Sequence, residues 1–151
     1  MRRSAVAASL LVAQLAVDPG WATDLSTPDA AVKAFRDAYR RKDVDDIVAV
    51  RAFEFEARQA LARKLGGAEP DQGAILRLAQ QKEAEFRRQA GGKGVAIDYS
   101  QCTVESASTL RADLVKFPQQ CAGPGQTTLF LSIHAVKLDA GWRLVLGPVA
   151  Q

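Results

Sequence analysis

The sequence predicts an α+β domain, with N-terminal helices packed on one face of a four-stranded antiparallel sheet. Apolar residues recur at helical spacing from about residue 27 to 90 and alternate from about 95 to 148. Between the two halves lies the glycine-rich run Gly91-Gly92-Lys93-Gly94. Helices and strands segregated along a chain favour α+β over a parallel α/β sheet, and 151 residues suffice for one such domain.

Thr27 suits an N-cap, Pro28 fits the first turn, where its missing N–H is not needed, and Asp29 lies near the positive end of the helix dipole. Val32, Phe35 and Tyr39, beside Ala31 and Ala38, make one apolar stripe, and Lys33, Arg36, Asp37, Arg40 and Arg41 occupy the rest. Asp43 starts a second helix, with Asp46 three residues on and Val44, Ile47 and Val48 as its buried side. That pattern continues through Phe53, Phe55, Leu61 and Leu65, with a break expected near Arg51. Gly66-Gly67 ends it and Pro70 confirms the stop. A further helix spans about 71–90, with Ile75, Leu76, Leu78, Ala79 and Phe86 as its core face. The glycine run after it is no phosphate loop. That motif needs a preceding strand, wider glycine spacing and Ser or Thr after the Lys. Here the run reads as a helix end and a turn.

Val95, Ile97 and Tyr99 then alternate, and Cys102 and Val104 continue on the other parity, implying a bulge or break near Ser100. Leu110, Ala112 and Leu114 follow, with Val115 and Phe117 on the opposite face. Pro118 to Gly125 reads as a loop. Thr127, Leu129, Leu131, Ile133 and Ala135 form the longest strand, and its other face carries Phe130, Ser132, His134, Val136 and Leu138. Asp139-Ala140-Gly141 is a tight turn, Trp142, Leu144 and Leu146 make the last strand, and Pro148 ends it. Trp142 reads as a core anchor.

The N-terminus carries an export pattern. Arg2 and Arg3 precede an apolar run from Ala5 to Val17, and Gly20-Trp21-Ala22 places small residues before the Ala22/Thr23 bond. The run is short of the ~20 residues that span a bilayer as a helix. Ser4-Ala5-Val6 lacks the twin-arginine pattern, and no Cys follows closely enough for a lipid anchor. The expectation is a cleaved signal peptide, residues 1–22, and a periplasmic or secreted domain, residues 23–151, with no stable membrane insertion after cleavage. Without Arg2, Arg3 and Asp18 the formal charge falls from +3 to +2, too little to argue for a nucleic-acid partner.

In an oxidising compartment two cysteines, Cys102 and Cys121, suggest one bridge. With the first hairpin turning near Ser108, Cys102 falls opposite about Lys116 and Cys121 folds back to reach it. Two buried free thiols, or a reactive Cys beside His134, are the alternatives. With no Cys-x-x-Cys and a single His, no metal site is expected, and no cofactor.

Two stretches and the element order resemble the nuclear transport factor 2-like superfamily, also called SnoaL-like or cystatin-like. Thr27-Pro28-Asp29-Ala30-Ala31-Val32, Phe35 and Tyr39, then Lys42-Asp43-Val44-Asp45 and Ile47, look like the first two helices of such domains. Gly141-Trp142-Arg143-Leu144-Val145 looks like their final strand. The resemblance implies a curved sheet wrapped on helices into a cone, often with an apolar pocket. It also implies a membership that ranges from isomerases and dehydratases to non-catalytic interaction domains.

Four residues are candidates for chemistry. His134, the only His, lies in an apolar strand and could act as a general base, or could be a half-buried sheet residue bonded to a neighbour. Asp98, between Ile97 and Tyr99, could abstract a proton beside a carbonyl, with Tyr99 or Tyr39 donating to the oxyanion, or could be a solvent-facing strand-end residue. Glu54–Arg58, Asp37–Arg41 and Glu83–Arg87 have the spacing of solvated helix pairs, and Glu54 and Glu56 point to different sides of a helix. The basic clusters Arg40-Arg41-Lys42, Arg63-Lys64 and Arg87-Arg88 are short, leaving contact with anionic envelope components as their functional option. The expected function is therefore a non-catalytic exported binding or interaction domain. Its ligand would be a small apolar molecule or a protein partner such as an envelope enzyme, and a homodimer could form through the sheet. The alternative is a small lyase or isomerase with a carboxylate or His base in the cone. That requires two of the four side chains to converge on a common point.

Overall fold

Four helices precede five strands in the computed structural model, which describes residues 23–91 and 97–149. The expected signal peptide (residues 1–22), residues 92–94 of the glycine run and Val95 lie outside the described residues.

Helix α1 (Pro28–Arg41) begins where the sequence placed it, and the Thr27 hydroxyl accepts the Ala30 N–H at 3.1 Å. Helix α2 (Val44–Val50) is capped by Asp43, which accepts the Asp46 N–H. Helix α3 (Phe53–Lys64) follows the expected break. There Arg51 is extended and Ala52 donates its N–H to the Leu144 carbonyl at 2.8 Å, attaching both residues to the edge of the sheet. Helix α4 (Gln72–Ala90) is capped by Asp71.

The strands are β1 (Thr103–Val104), β2 (Ser108–Arg111), β3 (Leu114–Ala122), β4 (Thr128–Leu138) and β5 (Gly141–Val145). All neighbours are antiparallel, in the order β1-β3-β4-β5, and β2 also pairs with β3. The sheet is therefore four ribbons wide, as expected, but its outer ribbon is two short pieces separated at residues 105–107.

Three expectations are corrected. The strand predicted from residue 95 is not there at Tyr99, because Tyr99–Gln101 forms a 3-10 turn capped by Asp98. That turn is the break anticipated near Ser100. The first hairpin turns at Ala112–Asp113 rather than near Ser108, with a register irregularity between Thr109 and Arg111. And Pro118 to Ala122 is strand, not loop. Pro118 sits opposite Ser132, and its carbonyl accepts the Glu105 N–H at 2.9 Å. A residue's N and O point to the same side of an extended strand, so the missing N–H of Pro118 faces the gap between β1 and β2, where no ladder bond is lost.

The later hairpin register brings the cysteines together. Thr103 pairs with Gln120, which sets Cys102 directly opposite Cys121, and the two form a disulfide with Cα atoms 4.2 Å apart. Cys121 needs no fold-back to reach its partner.

Helices cover one face of the sheet. Phe35, Ile47, Phe53 and Ile75 pack against Phe117, Ile133, Ala135 and Leu144, and Trp142 is buried with them as expected. Gly141 has φ +104°, and a Cβ there would come within 2.8 Å of the Leu25 carbonyl oxygen, so the turn into β5 requires glycine. No helix among the described residues is long and apolar enough to cross a membrane.

The unreduced protein is expected to yield no titratable thiol. Replacing both cysteines with Ala should lower the free energy of unfolding by about 3 kcal/mol in urea denaturation, the value for a loop of this size. Two free thiols in unreduced protein would refute the bridge.

Candidate functional site

Only two of the four candidate side chains meet. Helix α1 presents Phe35 and Tyr39 one turn apart, and the 3-10 turn after residue 98 lays Tyr99 across them. The ring centroids are 4.8 Å apart for Phe35–Tyr39, and 5.3 Å for both Phe35–Tyr99 and Tyr39–Tyr99. Burial pushes both phenols above their ordinary value, strongly so for Tyr39. They are therefore protonated at neutral pH and can donate, but cannot serve as bases.

Asp98 does not join them. Its carboxylate is exposed and accepts the Ser100 N–H at 2.9 Å and the Ser100 hydroxyl at 2.6 Å, so it serves as the cap of the 3-10 turn. His134 lies on the far side of the sheet. Ile133 and Ala135 point into the main core, and alternation sends His134 to the opposite face, between Lys116 on β3 and Val145 on β5. It is buried there, with no hydrogen-bond partner for Nδ1. Desolvation, with Lys116 as a smaller cause, holds it below its ordinary value.

Sequence reasoning missed the most deeply placed charges. The Arg51 and Glu56 side chains are 9% and 8% exposed and form an ion pair, with Arg51 Nη2 donating to Oε1 at 2.8 Å and to Oε2 at 2.9 Å. Glu56 Oε1 also accepts the Leu146 N–H at 3.0 Å. The guanidinium carbon stands 4.3 Å from the centre of the Phe53 ring and 5.0 Å from that of Phe86. Arg51 acts electrostatically on both tyrosines and opposes the effect of burial. One sequence signal existed. Glu56 is three residues after Phe53 and next to Ala57, all three are buried, and a carboxylate on an apolar stripe demands a partner. Of the surface pairs read from spacing, Glu83–Arg87 forms. Asp37 binds Lys33 and Arg40 instead of Arg41, and Arg58 binds Glu69 instead of Glu54.

A groove of about 480 Å³ opens beside this cluster. Phe53 and Phe55 from α3, Leu76 and Ala79 from α4, and Leu138 before the β4–β5 turn line it, and Leu76 and Leu138 are exposed. Glu54 and Asp139 on its rim make no ion pair with a described residue, whereas Arg143 donates to the Ala140 and Trp142 carbonyls. No group of three or more potential metal ligands is present among the described residues.

No protein-family model and no curated protein matches the sequence. Two solved structures are similar to it. One is a protein of Campylobacter jejuni provisionally described as an NTF2-like transpeptidase, 16% identical, with a TM-score of 0.40 over 81% of this chain and 100% of that one. The other is an NTF-2 like protein of unknown function from Shewanella oneidensis MR-1, 13% identical, with a TM-score of 0.45 over 76% of this chain and 88% of that one. Both names fall in the superfamily that the sequence resembles. Neither likeness, at a TM-score below 0.5, bears on what this chain binds or does.

Breaking the buried pair with Glu56→Gln should cost about 3–5 kcal/mol in chemical denaturation, since it leaves Arg51 uncompensated. Glu54→Gln, two residues earlier on the exposed side of α3, should stay within about 0.5 kcal/mol of wild type. For His134, the folded state resists protonation, so as pH falls through about 6.5 the unfolded chain takes up the proton first. Stability should therefore fall as pH drops from 7 to 5, and His134→Gln should flatten that slope relative to wild type. Parallel slopes would show that His134 titrates alike in both states.

Proposed function

We propose that this chain is an exported, non-catalytic binding domain whose partner is a protein segment. The observation that carries this is the scatter of the candidate side chains. Asp98 is engaged by Ser100, His134 sits on the other face of the sheet, and the two phenols that do meet have no free base beside them. Glu56, which acts electrostatically on Tyr99, is held by Arg51 and the Leu146 N–H. The lyase or isomerase reading retains the tyrosine pair in its favour but lacks the group that would remove a proton.

A protein partner is favoured over a small apolar molecule because the interior is filled. Phe35, Phe117, Ile133 and Leu144 are all 2% exposed or less, whereas Leu76, Leu138 and Phe55 offer apolar contact at the groove. Glu54, Asp139 and Arg143 all line the groove without an ionic partner among the described residues, which leaves an acidic excess, so the fitting segment carries apolar side chains and at least one basic residue. Export rests on the Arg2-Arg3, apolar-run and Gly20-Trp21-Ala22 pattern, and a disulfide fits an oxidising compartment.

Site-specific photocrosslinking in the envelope tests this reading. A photoreactive residue at Leu76 should yield one discrete adduct, and Leu138→Asp should weaken its formation by about 30-fold, the effect of losing one apolar anchor. The same residue at Phe130, exposed near the opposite end of β4 from Leu138, should give no such adduct. Identical diffuse labelling from both positions would sink the reading. A doubled-mass adduct from Phe130 alone would point instead to a homodimer through the sheet.

A further inference from the structure

A second groove, about 760 Å³, runs between α1 and the β1 edge of the sheet and shares no residue with the first. Val32, Val104 and Phe117 form its apolar floor. Lys33, Arg36 and Arg40 stand over it with Asp29 and Asp37, three or four positions apart on one side of the helix. Spacing alone reads these residues as a solvated face. The fold sets that face against a sheet edge and so encloses it on two sides.

Arg36 differs from its neighbours. Asp37 is shared between Lys33 at 2.8 Å and Arg40 at 2.6 Å, and Arg41 at the groove's end is engaged by Asp46. Arg36 has no carboxylate partner at all among the described residues. Its Nη2 donates to the Cys102 carbonyl at 2.9 Å and to that of Ser100 at 3.5 Å, its Nε is buried without a partner, and its Nη1 donates to no described residue. The guanidinium is thus fixed in place, by carbonyls that the Cys102–Cys121 bridge anchors in turn. With Nε buried and Nη2 engaged by carbonyls, Nη1 is the donor left to a ligand, and the charge has no carboxylate partner among the described residues.

We propose that this groove binds an oxyanion, carboxylate or phosphate, seated on the Arg36 guanidinium and flanked by Lys33 and Arg40. A planar fork already held by two carbonyls loses little freedom when an acceptor completes it, and a charge-assisted bond is the strongest kind available there. Lys33 and Arg40 are largely exposed and supply attraction rather than geometry. The site is independent of the protein-binding groove, and either can fail without the other.

The test is an NMR titration of the mature, disulfide-intact protein with inorganic phosphate and, separately, with succinate. The readouts are the arginine Nε–H signals and the backbone amides. The expected result is a saturable shift of the Arg36 Nε–H together with the amides of Val104 and Phe117. Arg36→Lys, which keeps the charge but loses the fork, should weaken binding by about tenfold or more. Lys42→Gln, just beyond α1, should leave it unchanged. Saturation by phosphate alone identifies a phosphate-bearing ligand, and saturation by succinate alone a carboxylate. Shifts that rise linearly and equally at Arg63 and Lys64 overturn the site, as does wild-type affinity in Arg36→Lys. Should Arg36→Lys prove unfolded, Arg40→Gln on the exposed rim serves in its place, with a smaller loss expected and an unchanged affinity counting against the proposal.

Discussion

The Arg51–Glu56 ion pair is the contact on which the arrangement of layers depends. Apolar burial presses the helices onto the sheet, but it is non-directional and would tolerate sliding. The pair adds direction. Arg51 leaves the end of α2, docks its backbone on the Leu144 edge and turns its guanidinium inward over Phe53 and Phe86. Glu56 reaches back from the first turn of α3 and takes the Leu146 N–H just past β5. Three elements thereby share one register. Desolvation offsets much of the attraction in such a pair, so its contribution is positional more than energetic.

The far edge of the sheet is held differently. Its outer ribbon contains only two residues in β1 and four in β2, too few to stay paired on ladder bonds alone. The disulfide clamps β1 to β3 across the ladder, and Arg36 ties the preceding backbone carbonyls to α1. Pro118 is accommodated because the ribbon is interrupted opposite it. Thus one edge is closed by Arg51 and Ala52, and the other by a covalent bond and a guanidinium.

These constraints also determine where polar groups end up. Strand alternation puts Phe117, Gln119, Ile133 and Ala135 on the helix side and Lys116 and His134 on the other. A parity of one residue therefore separates the only His from the tyrosine pair, and no adjustment short of a register slip can join them. Gln119, buried on the helix side with both side-chain polar atoms unpartnered, and His134, with Nδ1 unpartnered, join Arg36 Nε and Arg51 Nε among the buried groups whose hydrogen bonds this packing leaves unmade.

Local pattern by itself determined the α+β class, the caps at Thr27 and Asp43, the break at Arg51, the long β4 and the turn at Gly141. Each depends on residues within a turn or two of one another, where spacing and backbone preference act directly. The pairing of Cys102 with Cys121 was legible from their number and the export pattern, though its geometry was not. The hairpin register sets that geometry, and a proline and an irregularity near Thr109 and Arg111 disguised the register. The convergence of Tyr39 with Tyr99, the isolation of His134, the burial of Glu56 against Arg51 and the enclosure of Arg36 were decided only by tertiary structure. Each joins residues from different elements, and the sum of many weak packing contacts, rather than any short-range rule, sets how those elements meet.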